Sequence, residues 1–322
     1  MAGVWILADN RDRTLELLNV AAGLAEKLDT KVAAFLWNDS QLAEDYIAHG
    51  ADEVLILPSL EEDQPLEAYI PTIVEEALRQ DPDIFLVAAT ARGKEMAARI
   101  AGRLNTGLCS GCTALQFDET GKKLIMERLV FGGAAVQTVT CLTRPQMATI
   151  APRTFAPAVP LGDRTGQVRE LAAGLPGLVR IVDRKPKAKQ SGDVSDAKVL
   201  ICVGRGLEKE EDLALVRELA NVLGGELACT RPIAEELHWL PEETYIGLSG
   251  QKVKPDIYIG VGISGQIQHV TGIRDARLIC AINRDENAAI FEVSDYGIVG
   301  DLYSVLPELT REFKRALGAG KE

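Results

Sequence analysis

One stretch, residues 254–272, constrains the fold most strongly, because it joins a strand, a glycine turn and the start of a helix. The apolar run at residues 256–259 predicts a buried strand. A literal G-x-G-x-x-G follows at residues 260–265, and a helix-like segment begins at Gln266. Glycines let the backbone approach an anion closely, and the free N–H groups of the first helical turn point at it. The stretch predicts a phosphate-binding turn, although an ordinary tight turn also fits.

Two features around this turn bear on the ligand. Asp285 lies 20 residues beyond Gly265, after a second apolar run at residues 278–282. In a dinucleotide-binding fold, the acid that binds the ribose lies at this distance. A nicotinamide site, however, has small apolar residues after the turn, and this turn carries polar side chains instead: Ser264, Gln266, Gln268 and His269. They favour a ligand with more acceptors, such as a flavin with its ribityl chain.

Composition narrows the class of protein. The chain has 322 residues, 47% of them apolar, which is enough for two domains. A net charge of -12 argues against nucleic-acid binding, and no apolar run approaches the ~20 residues that span a bilayer. The first residues, MAGVWILADN, lack a basic leader, so we expect no signal or transit peptide. Six scattered cysteines are typical of a cytoplasmic protein.

Cys109 and Cys112 form a single C-x-x-C. It could be a redox dithiol or half of a metal site. A zinc or iron–sulfur site needs further ligands nearby, and the next cysteine is Cys141. We therefore interpret the pair as two small buried thiols beside a glycine turn, and we predict no metal site.

Short apolar runs alternate with helical patterns through most of the chain. This alternation predicts an α/β fold of two domains, each with a mostly parallel sheet flanked by helices. The strands predicted in the first domain are residues 4–8, 31–37, 53–57 and 84–88, and the helices are residues 11–28, 41–49, 66–80 and about 91–104. Residues 124–131 and 136–142 predict a hairpin, and residues 165–178 a last short helix. The loop at residues 90–94 fits either a phosphate cradle or a solvated loop.

The clearest boundary is the polar stretch at residues 184–197. We predict an N-terminal domain at residues 1–183, a linker at residues 184–197 and a Rossmann-like domain at residues 198–322. Four basic residues lie in this linker, but a solvated segment explains them better than a phosphate or nucleic-acid site. In the second domain we predict strands at residues 198–203 and 226–229 and a helix at residues 303–317.

Ligands of open parallel sheets bind outside the carboxyl ends of the strands. The loops that should converge there are residues 204–206, 229–232, 246–250, 260–269 and 283–285.

The residues in these loops carry a resemblance to a known family. The segments GISGQIQH, AINRDENAAIF and SDYGIVGDLYSVLPEL resemble the C-terminal signature of the electron transfer flavoprotein alpha subunit, the FixB-like family. GRGL at residues 204–207, CTRP at residues 229–232 and RPQMATIAP at residues 144–152 extend the similarity over nearly the whole chain. The resemblance implies FAD as the cofactor and a solvated loop at residues 90–94, because the family's first domain binds no dinucleotide of its own.

The resemblance also implies a role for each matching residue. Arg231 would lie over the isoalloxazine, Ser249 would donate a hydrogen bond to flavin N5, and His269 would lie near the pyrimidine carbonyl. Together, Arg231 and His269 would stabilise negative charge on the ring. The alternative for His269 is a core histidine satisfied by the backbone, and the alternative for Arg231 is a surface salt bridge. Adenosine and diphosphate contacts would come from Arg205, Thr230, Asn283, Asp301 and Leu302. The full set of expected cofactor-binding residues is Arg205, Thr230, Arg231, Ile246, Gly247, Leu248, Ser249, Gly262, Ser264, Gly265, Gln266, Ile267, Gln268, His269, Asn283, Asp301 and Leu302.

The sequence departs from the family pattern at three places. Leu248 stands where a glutamine is expected, Gln266 where alanine is usual, and Ala288 and Ala289 where a proline is common. Leu248 removes any side-chain hydrogen bond at that position, although a backbone contact remains.

We therefore expect an electron carrier that pairs with a beta subunit, with no catalytic residues of its own. It would pass single electrons between a flavin dehydrogenase of the acyl-CoA dehydrogenase type and a second acceptor. The family also includes electron-bifurcating members, which use NADH and ferredoxin through a second FAD with the beta subunit, and the sequence leaves that choice open. The alternatives are an NAD-dependent Rossmann dehydrogenase, with Asp285 on the ribose, and a non-enzymatic adenine-nucleotide binding module.

Overall fold

The protein is represented by a computed structural model that describes residues 3–37, 41–162, 164–172, 179–185 and 194–318. The chain divides into two compact units, Met1–Lys185 and Pro186–Glu322. Each unit is an α/β structure built on one sheet, as predicted. Within the described ranges, no helix has the length and apolar character that crossing a membrane requires.

The described part of the first unit forms a nine-stranded sheet. Its strands are β1 (Gly3–Leu7), β2 (Lys31–Leu36), β3 (Glu53–Ile56), β4 (Ile84–Ala88), β5 (Leu108–Phe117), β6 (Leu124–Val130), β7 (Ala135–Thr140), β8 (Gln146–Ile150) and β9 (Gln167–Glu170). Their order across the sheet is β7-β6-β5-β8-β4-β1-β2-β3-β9. Neighbours are parallel except for the two pairs that involve β6.

Helices cover both faces of this sheet. They are α1 (Arg11–Leu28), α2 (Leu42–Ala48), α3 (Ile70–Gln80) and α4 (Ala91–Leu104). The Asn10 side chain accepts a hydrogen bond from a backbone N–H of the first turn of α1, and Thr90 does the same for α4. Side chains alternate between the two cores along β1: Val4 and Ile6 pack in one, Trp5 and Leu7 in the other.

Residues 105–172 differ most from the prediction. The hairpin is confirmed, because β6 and β7 pair antiparallel. β5 and β8 were not predicted, and Cys109 and Cys112 lie buried within β5, where the register shifts at a bulge. The helix expected at residues 165–178 is wrong over its described part. Residues Gln167–Glu170 form β9 beside β3, where Arg169 bonds Glu53, and residues 173–178 lie outside the described ranges.

The second unit is built on a five-stranded parallel sheet within its described residues. Its strands are β10 (Val199–Val203), β11 (Glu226–Cys229), β12 (Ile257–Val261), β13 (Ile279–Asn283) and β14 (Tyr296–Val299), in the order β11-β10-β12-β13-β14. Its helices are α5 (Leu213–Leu223), α6 (Ile267–Ile273) and α7 (Leu302–Gly318). The strand order reverses direction between β10 and β12, and a crevice opens at such a switch point in parallel sheets.

The beginning of the second unit overlaps the predicted linker. Residues 186–193 of that linker lie outside the described ranges. Val194 and Ala197, at its end, are buried in one of the two cores of the second unit.

Candidate cofactor site

A cavity of about 780 Å³ lies at the carboxyl ends of β10 to β13. The loops that follow these strands form its wall, and they are the loops that the sequence predicts will converge. The cavity is lined by Gly204, Arg205, Gly206, Thr230, Arg231, Pro232, Tyr245, Ile246, Ser249, Gly262, Ile263, Ser264, Gln266, Gln268, His269, Asn283, Asp285, Asn287, Ala288 and Ala289. Its size falls in the range of small-molecule and cofactor sites.

Two glycines bring the loops after β10 and β12 into direct backbone contact. Gly206 N–H donates to the Gly262 carbonyl at 3.0 Å. A Cβ on Gly262 would lie 2.6 Å from the Gly206 Cα, and the φ of Gly262 is +63°, which L side chains rarely adopt. Both positions therefore require glycine, and the close approach exposes loop backbone to the cavity.

Most of the predicted site residues are brought together here. Eleven of the seventeen line the cavity: Arg205, Thr230, Arg231, Ile246, Ser249, Gly262, Ser264, Gln266, Gln268, His269 and Asn283. The strand, glycine turn and short helix predicted in residues 254–272 are β12, residues 262–266 and α6.

The other six predicted residues lie beside the cavity. Asp301 and Leu302 line a smaller cavity of about 60 Å³, which shares Gly206, Gly262 and Asn283 with the large one. The remaining four, Gly247, Leu248, Gly265 and Ile267, do not line it. The Leu248 side chain is 51% exposed, and its backbone N–H donates to the Gln268 carbonyl at 2.7 Å.

The prediction missed part of the wall. The missed lining residues include Pro232, Tyr245, Ile263 and Asn287, together with Ala288 and Ala289. The predicted loop at residues 283–285 continues along the wall to Ala289, and the alternating Asn-x-Asp-x-Asn pattern at residues 283–287 could have shown this extension. Asn283 accepts a hydrogen bond from the backbone N–H of Asp285, and Asp285 accepts one from that of Asn287, both at 3.0 Å.

His269 is not the cation that we expected. It is only 7% exposed, and burial lowers the pKa of its imidazole to about 4. Its Nδ1 lies 3.1 Å from the Ile246 carbonyl oxygen, and its Nε2 lies 2.7 Å from the Tyr258 hydroxyl. The ring is therefore neutral at pH 7, because taking up a proton in this apolar setting costs more than these two hydrogen bonds return.

Arg231 lines the cavity and also forms an ion pair with a residue that does not line it, Glu235. Its Nε donates to Glu235 Oε2 at 2.6 Å, four residues further along the chain. The side chain is 63% exposed, and the carboxylate raises the pKa of the guanidinium. Arg231 therefore supplies a solvated, partly compensated positive charge at the rim. Arg205, which is also exposed, supplies a second positive charge.

The arrangement suits a large phosphate-bearing cofactor. Glycine backbone at two loops is open to a diphosphate, and the arginines add positive charge beside it. Hydroxyl and amide side chains of Thr230, Ser264 and Gln268 offer donors and acceptors for a polyhydroxyl chain.

Comparison with known proteins decides between the candidate families. Residues 4–176 match the electron transfer flavoprotein domain, and residues 193–274 match the electron transfer flavoprotein FAD-binding domain. The chain is 38% identical to Protein FixB of Clostridium saccharobutylicum, over 98% of each chain. This protein belongs to the electron transfer flavoprotein alpha-subunit family.

Two further relatives agree with this assignment. The alpha subunit of the electron transfer flavoprotein of Clostridium acetobutylicum is 36% identical, over 98% of this chain and 97% of that one. Protein FixB of Escherichia coli is 36% identical, over 97% and 98%.

Membership fixes the cofactor and the general role of this alpha subunit. The matched FAD-binding domain contains α6 and the loops after β10, β11 and β12, which carry most of the cavity lining, so the cofactor is FAD. As an alpha subunit of this family, the chain serves electron transport and pairs with a beta subunit. The alternatives of a nicotinamide dehydrogenase and a simple adenine-nucleotide module are thereby set aside.

Proposed function

We propose that this alpha subunit carries electrons one at a time between a flavin dehydrogenase of the acyl-CoA dehydrogenase type and a second redox partner. The observation that supports this proposal is the character of the cavity wall. In the described residues around it, the one histidine has both ring nitrogens engaged within the protein. FAD supplies the one-electron chemistry when bound, and the protein supplies binding, orientation and charge.

We propose the following division of labour among the lining residues. Arg205, Thr230, Asn283, Asp301 and Leu302 hold the adenosine and diphosphate half of FAD, which agrees with their position along the wall shared by the two cavities or beside it. A second group faces the flavin half: Ser249 as donor to N5, Arg231 over the ring, and residues 264–269 along its polar edge. A guanidinium beside the ring favours an added electron, because the electron brings negative charge there.

We also propose how the two units share the work. Residues 1–183 contact the beta subunit. Residues 184–197 are the linker between the two domains, and residues 198–322 hold FAD. The match of residues 193–274 to the FAD-binding model supports the last assignment. All six cysteines are free thiols, which supports a cytoplasmic location.

The test is reduction of the purified heterodimer by an acyl-CoA dehydrogenase and its substrate. We expect flavin absorbance at about 370 and 450 nm, which bleaches in two one-electron steps. A heterodimer that binds FAD but accepts electrons from no flavin dehydrogenase would contradict the proposed partner.

The FAD content of the heterodimer separates the two types of family member. One FAD per heterodimer fits the simple carrier that we propose. Two FAD per heterodimer, together with NADH-dependent reduction of ferredoxin, would assign the protein to the electron-bifurcating type.

A further inference from the structure

A line of buried polar side chains runs from the interior of the second unit to the cavity wall. Tyr258 on β12 is fully buried, and its hydroxyl lies 2.7 Å from Nε2 of His269. The other ring nitrogen, Nδ1, lies 3.1 Å from the Ile246 carbonyl oxygen. Cys202, which is also fully buried, lies in the same hydrophobic core as Tyr258.

The direction of each hydrogen bond follows from what its partner can do. A carbonyl oxygen only accepts, so Nδ1 of His269 carries the hydrogen. Because the buried ring is neutral, its Nε2 has no hydrogen and accepts one from the Tyr258 hydroxyl. The donors therefore point the same way, from Tyr258 through His269 to Ile246.

We propose that Tyr258 is a positioning residue for the cofactor, acting through His269. Because both ring nitrogens form hydrogen bonds within the protein, the imidazole has one tautomer and one orientation at the wall of the FAD cavity. Without the Tyr258 hydroxyl, Nε2 would be a buried acceptor with no donor, which is unfavourable. The ring would recover part of this energy by turning away from its wild-type orientation. The inference rests on FAD occupying this cavity.

Replacing Tyr258 with phenylalanine isolates the hydroxyl, because the aromatic ring is kept. Tyr69 provides a matched control in the first unit. It is also a fully buried tyrosine, but its hydroxyl has no hydrogen-bond partner in the part of the chain that the structure describes. Tyr69→Phe therefore removes a buried phenol hydroxyl without breaking such a chain.

The first measurement is nitrogen NMR of the FAD-loaded heterodimer with labelled histidine in this chain only. The chain has three histidines, so three ring systems are expected. We expect His269 to be neutral, with a proton on Nδ1 and a hydrogen-bonded lone pair on Nε2. In Tyr258→Phe the Nε2 shift should move to that of an unbonded nitrogen. A wild-type spectrum with the proton on Nε2 would overturn the proposal.

The second measurement is a double-mutant cycle on FAD affinity. We expect Tyr258→Phe to weaken FAD binding about tenfold, which corresponds to about 1.4 kcal/mol. In a His269→Ala background the same change should have less than about a twofold effect, because the residue through which it acts is gone. Additive losses would show that Tyr258 acts on packing alone. Tyr69→Phe should leave FAD affinity unchanged.

The wild-type spectrum keeps the proposal testable if Tyr258→Phe does not fold. An Nε2 lone pair without a hydrogen bond, or a proton on Nε2, would contradict the Tyr258–His269–Ile246 chain with no substitution made. These outcomes are distinct from a failure of the proposed function, which would show as an unmodified heterodimer without FAD or without electron transfer.

Discussion

Substitution of Gly262 by alanine should separate two physical reasons for a glycine at the cavity wall. The first reason is its left-handed backbone, at φ +63°. The second is space, because a Cβ there would lie 2.6 Å from the Gly206 Cα, and this neighbour is backbone, which cannot rotate away. The chain offers a matched control. Gly224 ends α5 at φ +62°, and a Cβ there would meet nothing within 4 Å.

The magnitudes follow from these two distances. Left-handed backbone costs an L residue about 1–2 kcal/mol, and this cost is common to both variants. In Gly262→Ala the two loops must also separate by about 0.8 Å to restore ordinary contact, and overpacking of this kind costs about 1–3 kcal/mol. We therefore expect Gly224→Ala to lose about 1–2 kcal/mol of unfolding free energy, and Gly262→Ala about 2–5 kcal/mol.

FAD affinity gives the sharper readout. Gly262→Ala should weaken FAD binding at least tenfold, because the moved loops carry the backbone that we propose holds the diphosphate. Gly224→Ala should leave it unchanged. Thermal unfolding and FAD titration of both variants, each as the heterodimer, measure the two effects. Equal unfolding losses in the two variants, with FAD affinity intact in both, would refute the argument that the Gly206–Gly262 contact shapes the site.

Three more outcomes are expected from charged and titratable groups. Arg231→Ala should lower the first one-electron flavin potential by less than ~59 mV, because the side chain is exposed and ion-paired; ~59 mV corresponds to a tenfold change in relative affinity. Arg205→Ala should instead weaken FAD binding with little change in that potential. Folding lowers the pKa of His269 from 6.5 to about 4, so the unfolded chain binds more protons than the folded chain between these pH values. The free energy of unfolding should therefore fall by roughly 3 kcal/mol as the pH is lowered through this window. His269→Gln should remove this loss, measured by acid unfolding. Arg169→Ala should lower the unfolding free energy by about 1.5–3 kcal/mol, measured by denaturant titration, because the carboxylate of Glu76, 6% exposed, loses one of its two arginine partners and keeps Arg79.

Much of the fold was predictable because local pattern and final structure agree. Apolar runs became β1 to β4 and β10 to β13, and the rule for parallel sheets located the cavity. The strands that the sequence did not reveal depend on distant partners. β9 is a polar edge strand with no apolar alternation, and it forms because residues 167–170 pair with β3 and Arg169 reaches Glu76. β5 contains Gly111 at φ +70°. The glycine predicts a turn from the sequence alone, but in the structure it lies at a bulge in the pairing of β5 with β8.

The charges of the site were harder to predict than its position. Glu235 lies four residues after Arg231, so that ion pair was visible as a helical spacing. The neutral state of His269 was not visible, because it follows from burial and from contacts with residues 246 and 258, which only the folded sheet brings to the ring. A histidine near a glycine turn fits a cation and a buried neutral ring equally well until its surroundings are known.

The position of the charges explains how an acidic chain holds an anionic cofactor. The protein carries a net charge of -12, which would repel a diphosphate if the charges acted at long range. At physiological ionic strength, exposed charges are screened beyond about 8 Å, so only groups close to the cavity count. There two exposed arginines, Arg205 and Arg231, outnumber one exposed carboxylate, Asp285, and the rest of the lining is neutral: glycine backbone, hydroxyls, amides and an uncharged imidazole. Binding therefore depends on short-range hydrogen bonds with the rim arginines beside them. For the same reason, the loss of one loop contact at Gly262 should weaken FAD binding more than a moderate rise in salt concentration does.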